Sequence, residues 1–368
     1  MIKKERMERV KKAKKHNEFN SKAWFKRCML LIISVFLLAM LIFWIFDPYF
    51  HFHKPFSFVS YRLLEERYIN DGISRHFEYD TIITGTSMAQ NFKTSEADRL
   101  FGVNSVKETF SGAGYKELSQ NLERALSRND NLKTVIWTMD FNALIRDKDW
   151  TQYEGYPTYL YDDNPFNDVS YIFNKSVWYH GVLQNVIMTL TGQPSTTFDE
   201  YSSWEKETGY KHVMNNYDRW EEKADMIPGL TDEEKQMVTE NVQQNFVELV
   251  NKYPDTTFYV FYTPYSICWW DFMNQEGMMQ MQFDAELIAT ELLLQCPNVK
   301  LFNFNDKYDI ITNLNNYRDK EHYSADINTK ILEWIAADEG LVTKDNYKQI
   351  IETEKEYYLN YDYETVFK

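Results

Sequence analysis

The feature that most restricts this chain is a run of nineteen residues without a charge, Cys28 to Phe46 (CMLLIISVFLLAMLIFWIF). As a helix it is roughly 28 Å long, the thickness of a bilayer's hydrocarbon core. Apolar side chains surround it on every side, which argues against the one-faced pattern of a soluble helix. Residues 1–27 carry eleven Lys/Arg and three Glu, a net of +8; the whole chain is −15, so residues 28–368 carry −23. Lys22, Lys26 and Arg27 precede the run, Asp47-Pro48 closes it, and Trp24 and Trp44 suit the two interfaces. The basic flank places the N-terminus in the cytoplasm and the remainder outside the cell membrane. A cleaved signal peptide is the rival, but it has a shorter apolar region and a small-x-small site, which is missing after this run. The expectation is an uncleaved, single-pass anchor with its basic tail against anionic lipid. The acidity of the rest excludes nucleic acid as a natural partner.

Residues 47–78 read as a membrane-proximal connector. From Tyr79 the pattern alternates between short β-branched or aromatic runs and helical stretches. Strands are expected at 81–84, 103–108, 134–139, 256–261 and 299–304. Helices are expected from about Thr94 and over 116–128, 232–252, 283–296 and 325–337. Thr231-Asp-Glu-Glu has the acids of a helix start. The expected fold is α/β: three αβα layers around a five-stranded parallel sheet, preceded by one transmembrane helix. This domain spans 79–340. An aromatic, Asp- and Asn-rich insertion at 143–230 is too long for one crossover and could shape a cleft. Residues 341–368 form a polar, Tyr-rich, helical tail on the surface.

Two stretches carry chemistry. In Asp80-Thr-Ile-Ile-Thr-Gly-Thr-Ser-Met-Ala-Gln-Asn-Phe-Lys93 a buried strand runs into a sharp turn, Gly85-Thr86-Ser87, before a helix. The turn lies at the C-terminal edge of the sheet, where open α/β sheets bind ligands. Backbone N–H groups there can stabilise an oxyanion; the plainer reading of Ser87 is a helix N-cap. After the fifth strand comes Tyr317-Arg-Asp-Lys-Glu-His-Tyr-Ser324. Asp319 and His322, three apart, fall on one side of a turn, so the carboxylate can fix the imidazole tautomer while the other nitrogen faces a nucleophile. Ser324 reads as the cap of the last domain helix. Tyr265, Trp269 and Trp270, after the fourth strand, are candidates to stack on a sugar; closing the core is the equal alternative. No metal or cofactor site is read. Of the three cysteines, Cys28 is at the membrane edge, and Cys268 and Cys296 fit no metal spacing and leave pairing open. His51 and His53 are read as interfacial residues, with no carboxylate near in sequence.

Gly-x-Ser after the first strand with Asp-x-x-His after the last resembles the SGNH (GDSL-like) hydrolases over about residues 79–340. The first block stands here as Gly85-Thr86-Ser87, the second block's glycine is matched by Gly112, and the last block by Asp319 and His322. The third block, Gly-x-Asn-Asp in the family, departs: Met139-Asp140-Phe141-Asn142 stands there, and Asn142 is the candidate side-chain oxyanion donor. The layout is similar to the membrane-anchored bacterial SGNH proteins that act beside membrane-bound O-acyltransferases in cell-surface polysaccharide acylation. The resemblance implies a flavodoxin-like fold, Ser87 as nucleophile, His322 as base and Asp319 as its orienting acid. It implies an oxyanion hole from Ser87, Gly112 and Asn142. It also implies an extracytoplasmic serine O-acyltransferase or acylesterase, with a cell-surface glycan or other acyl acceptor and a membrane-bound acyltransferase as partners. A general esterase without a glycan partner is a second reading. An inactive SGNH-like scaffold that binds glycan or recruits the acyltransferase is the third.

Overall fold

The computed structural model describes residue 7 and residues 21–152, 157–162, 164–204, 208–220 and 222–367. The basic tail before Ser21, apart from Met7, therefore lies outside the described residues. The chain separates into two compact units, Met1–Asp47 and Pro48–Lys368. In the first, Ser21–Phe46 is one 26-residue helix, α1. It is long and apolar enough to cross a membrane, as an anchor or a signal sequence would be.

The second unit is built on a sheet whose strands are β1 (Thr81–Gly85), β2 (Ser105–Thr109), β3 (Thr134–Met139), β4 (Thr257–Tyr262), β5 (Val299–Asn303) and β6 (Leu341–Val342). The spatial order is β2-β1-β3-β4-β5-β6. The first five strands are parallel, with Thr81 opposite both Ser105 and Thr134. The sheet is nevertheless mixed and six-stranded, because β6 runs antiparallel to β5. Two residues are too few to show an alternating pattern in sequence. The chain reaches that position by a turn at Gly340, where φ is +78° and a Cβ would lie 2.6 Å from the Asn303 carbonyl, so only glycine fits.

The helices used below are α2 (Glu66–His76), α3 (Thr94–Phe101), α4 (Tyr115–Arg128), α5 (Asp232–Val242), α6 (Ile267–Gln275), α7 (Met279–Leu293), α8 (Ala325–Ala336) and α9 (Tyr347–Asn360). α5 starts with a capping box, Thr231 to Glu234, and runs on through a π turn to Lys252. α3 packs against α8, whereas α2, α4, α5, α7 and α9 form a chain of contacts of their own. Right-handed crossovers put these two groups on opposite faces of the sheet, because the path from β1 to β2 and the path from β2 onward run in opposite directions. The reversal opens a crevice at the C-terminal ends of β1 and β3.

Residues 48–78 belong to the same compact unit as the sheet. α2 buries Ile69 and Ile73, and it covers the edge strand β2. Asn70 Nδ2 donates to the Thr109 carbonyl at 2.8 Å, and the Ser74 hydroxyl donates to Glu108 at 2.9 Å. An edge strand with Lys107 and Glu108 fully buried is thereby closed to pairing with another chain. His51 is turned into the domain and pairs with Asp168 of the insertion at 2.9 Å, which corrects its reading as an interfacial residue. The partner is 117 positions away, out of reach of a local reading. α9 is a packed helix, with Ile351, Glu354 and Tyr358 buried.

Candidate functional site

β1 is buried along its whole length and ends on Gly85 at φ +149°. A Cβ there would lie 1.9 Å from Thr138 Oγ1 of the neighbouring strand, so the turn needs glycine. Thr86, not Ser87, is the cap of the short helix that follows: its Oγ1 accepts the Met88 N–H at 3.4 Å and donates to Asp140 Oδ2 at 2.8 Å. Ser87 is left partly exposed at the crevice.

The loop after β5 comes back to meet it. Tyr317 and Tyr323 form an isolated antiparallel bridge, and the Arg318 N–H donates to the His322 carbonyl at 2.8 Å. The Tyr317 hydroxyl donates to the Pro264 carbonyl at 2.8 Å, and the Ser266 hydroxyl to the Lys320 carbonyl at 2.7 Å, so the β4 loop holds the β5 loop in place. Ser324 has the backbone of an N-cap for α8, but its side chain makes no capping hydrogen bond.

Ser87 Oγ lies 2.7 Å from His322 Nε2 across 235 positions of sequence. His322 Nδ1 lies 2.9 Å from both carboxylate oxygens of Asp319. Asp319 Oδ1 also accepts the N–H groups of Glu321 at 2.9 Å and His322 at 2.8 Å. Burial pushes the Asp319 carboxyl up. The His322 hydrogen bond and charge, with the two backbone donors, outweigh it and hold the pKa at about 2. For His322, burial pushes the pKa down. The hydrogen bond and charge of Asp319 outweigh it, helped by Glu321 and Asp140, and the pKa rises above 6.5. A hydroxyl, an imidazole and an ionised carboxylate in this order can pass a proton from the serine as its oxygen attacks an acyl carbon.

Gly112 and Asn142 reach the same place. They line a cavity of about 250 Å³ together with Ser87, Asp140 and Tyr265. Asn142 is exposed, and its side-chain amide has no hydrogen-bond partner among the described residues. The Ser111–Gly112 loop is braced by the connector: Glu66 Oε2 accepts the Ser111 N–H at 2.7 Å and Arg67 donates to the Ser111 carbonyl at 3.0 Å.

The three aromatic candidates after β4 are not brought to Ser87 as stacking surfaces. Tyr265 is 2% exposed and its hydroxyl donates to Asp140 Oδ1 at 2.9 Å. Trp269 is 2% exposed, donates to Gln282 at 3.0 Å and borders a different, apolar cavity. Trp270 is fully buried and stacked on Tyr358 of α9 at 3.6 Å. The hydroxyls and indoles are taken up by packing, which corrects the reading of these side chains as a sugar platform.

Another aromatic residue occupies the cleft. Trp204 of the insertion meets the His322 ring edge-on at 5.2 Å, and its Nε1 donates to the Ser87 carbonyl at 3.4 Å. With Arg318, His212 and Asn216 it lines an open cleft of about 840 Å³ in front of Ser87 and His322. Nothing in the local sequence separates Trp204 from the insertion's other aromatic residues. Asp140 was also missed. It is 3% exposed at the end of β3, its pKa raised by burial against the hydrogen bonds of Thr86 and Tyr265. Its place directly after a predicted strand was the signal available.

The chain matches no sequence model of a known family. It matches no curated protein. Among solved structures it is similar to one described as "a putative platelet activating factor from Streptococcus pneumonia". The likeness has a TM-score of 0.38 and 10% identity, over 83% of this chain and 97% of that one.

Proposed function

We propose that this protein is a membrane-anchored, extracytoplasmic serine O-acyltransferase or acylesterase of the SGNH type that acts on a cell-surface polysaccharide. The observation that carries the reading is the unbroken line of contacts from Ser87 Oγ through His322 to Asp319, at 2.7 Å and 2.9 Å. Ser87 Oγ attacks the acyl carbonyl carbon and its proton passes to His322 Nε2. The carbonyl electron pair moves onto oxygen, and that oxyanion is held by the backbone N–H groups of Ser87 and Gly112 and by the Asn142 amide. Collapse restores the carbonyl and expels the leaving oxygen, which takes the proton from His322. An ester on Ser87 remains. A sugar hydroxyl, or water, then gives its proton to His322 and attacks that ester; the product leaves, and Ser87 regains its proton. A membrane-bound O-acyltransferase is the partner that would supply the acyl group.

The test is surface-glycan O-acylation in cells carrying wild type or Ser87→Ala at equal protein levels, together with ester hydrolysis by the purified full chain. Acylation and hydrolysis should vanish in Ser87→Ala. Wild-type acylation in that strain would leave a scaffold, not an enzyme. A reporter fused after Lys368 should be active outside the cytoplasmic membrane only; activity inside would refute the orientation and the glycan reading with it.

A further inference from the structure

Among the described residues, one cation in the cleft lacks an acidic partner. The charged neighbours there are Asp319, which is committed to His322 at 2.9 Å, and Lys320 and Glu321, which pair with each other at 2.7 Å. Arg318 has no carboxylate within ion-pair distance among the described residues; its guanidinium lies over the Trp204 ring at 4.9 Å. Stacking fixes the plane of the guanidinium and leaves the N–H groups at its edge unspent. The stack is itself anchored. The Trp204 N–H donates to Asn91 Oδ1 at 3.1 Å and its Nε1 to the Ser87 carbonyl at 3.4 Å. The guanidinium therefore stands one aromatic ring away from the Ser87–His322 pair. The residues after the basic tail carry −23, so the general field of this chain repels anions. A guanidinium stacked on Trp204, with no carboxylate partner among the described residues, runs against that field.

We infer that Arg318, held on Trp204, receives an oxyanion, carboxylate or phosphate, on the molecule whose hydroxyl or ester reaches Ser87. The planar fork takes two oxygens at once, which a neutral sugar cannot offer with the same strength. The cleft, about 840 Å³, has room for a sugar residue and its charged substituent. This deepens the proposed function and rests on the acceptor entering by this cleft. Arg318 then selects the substrate and takes no part in bond making.

The experiment compares the full chain in detergent micelles with Arg318→Gln and Arg318→Lys. The probes are O-acetylated glucuronic acid, O-acetylated glucose 6-phosphate and O-acetylated glucose, each read as kcat/KM. Binding of the three unacetylated sugars is read in parallel by saturation-transfer NMR. At least one anionic probe should be favoured over glucose by about 10- to 100-fold, the range of a lost charged hydrogen bond. Arg318→Gln should bring that ratio close to one. Arg318→Lys should keep part of it, since the charge remains without the fork. Whichever anion is preferred identifies the carboxylate or the phosphate as the source. Equal treatment of neutral and anionic probes by wild type, or a preference that survives Arg318→Gln, overturns the inference. Should no ester be hydrolysed, the esterase form of the proposed chemistry fails and the surface-glycan assay decides the transferase form. The binding ratio then decides the Arg318 inference alone, and binding no tighter for the anions than for glucose rejects it.

Discussion

The loops that leave β4 and β5 start side by side at the same edge of the sheet and end differently. The β5 loop closes on itself through the Tyr317–Tyr323 bridge, which buries both tyrosines at 0% and 1% exposure. Its middle is then pushed outward, and Asp319 and His322 keep 29% and 24% of their side chains exposed. The β4 loop turns into α6 at once, with the Ser266 side chain accepting the Cys268 N–H at 3.2 Å. α6 is buried nearly all round at its start, Ile267 to Asp271 without a break, and Trp269 and Trp270 lie in that run. One loop uses its aromatic residues as a base and presents polar groups. The other buries its aromatic residues and presents little. Both loops bury their aromatic residues, and the β5 loop, closed on itself, is the one that presents its polar groups.

The largest expected effect would break that comparison outright. If the β5 loop presents a working base, Ser87→Ala and His322→Ala should each remove nearly all ester turnover, about 10⁶-fold in kcat, as for other serine nucleophile–base pairs. The double variant should lose no more than either single variant, because the two groups act as one unit. Losses that multiply in the double variant, in single-turnover assays, would mean that the 2.7 Å contact is not a catalytic pair.

Legibility follows the same division. The five parallel strands and the Ser87, Asp319 and His322 positions could be read because each depends on local spacing: buried runs of four to six residues, Gly-x-Ser after one, Asp-x-x-His after another. β6 could not, since its two residues depend on a partner strand and on Gly340. The stacking role given to Trp269 and Trp270 failed because burial is decided by what packs on top, here α7 and α9. Trp204 was invisible for the converse reason. Its place depends on Asn91, 113 positions away, which accepts its backbone N–H. His51 likewise met Asp168 only in three dimensions.

Asp319→Asn should cost less, on the order of 10⁴-fold in kcat, and it carries a pH signature. Asp319 is the main group that raises the His322 pKa above 6.5 against burial. Wild-type activity should therefore rise as pH climbs through that raised value and His322 becomes neutral. Removing the carboxylate should move the acidic limb of the profile to lower pH. Stability has the opposite sign. The His322 contribution is complete below its unfolded value and lost as pH rises through the raised one, while the Asp319 contribution is lost as pH falls toward about 2. An acidic limb that stays in place in kcat/KM for Asp319→Asn would show that the carboxylate does not set the imidazole.

Asn142→Ala is expected to lower kcat by about 10²- to 10³-fold with little change in KM, if its amide meets the oxyanion. It sits after β3, lining with Ser87 the small cavity that His322 does not border, and its exposed amide is unpartnered among the described residues. A loss seen mainly in KM would instead make it a substrate contact in the ground state.

The smallest effect on chemistry should come from the region where three candidates were expected to bind sugar. Trp270→Ala removes a fully buried indole that stacks on Tyr358 at 3.6 Å and on Phe283 at 5.8 Å. Large-to-small changes of this kind cost about 3–5 kcal/mol, because the cavity is only partly refilled. Denaturant unfolding should show that loss, as α9 loses a main contact with the body of the domain. Yet kcat and KM for ester probes, measured on the folded protein at low temperature, should match wild type, since the indole borders neither cavity at Ser87. Trp204→Ala is the counterpart: a small loss of stability with a clear rise in KM, because its ring is part of the cleft wall and carries Arg318. If the pair behaved the other way round, with Trp270→Ala raising KM at unchanged stability, the β4 loop would be the binding surface after all and the contrast between the two loops would fail.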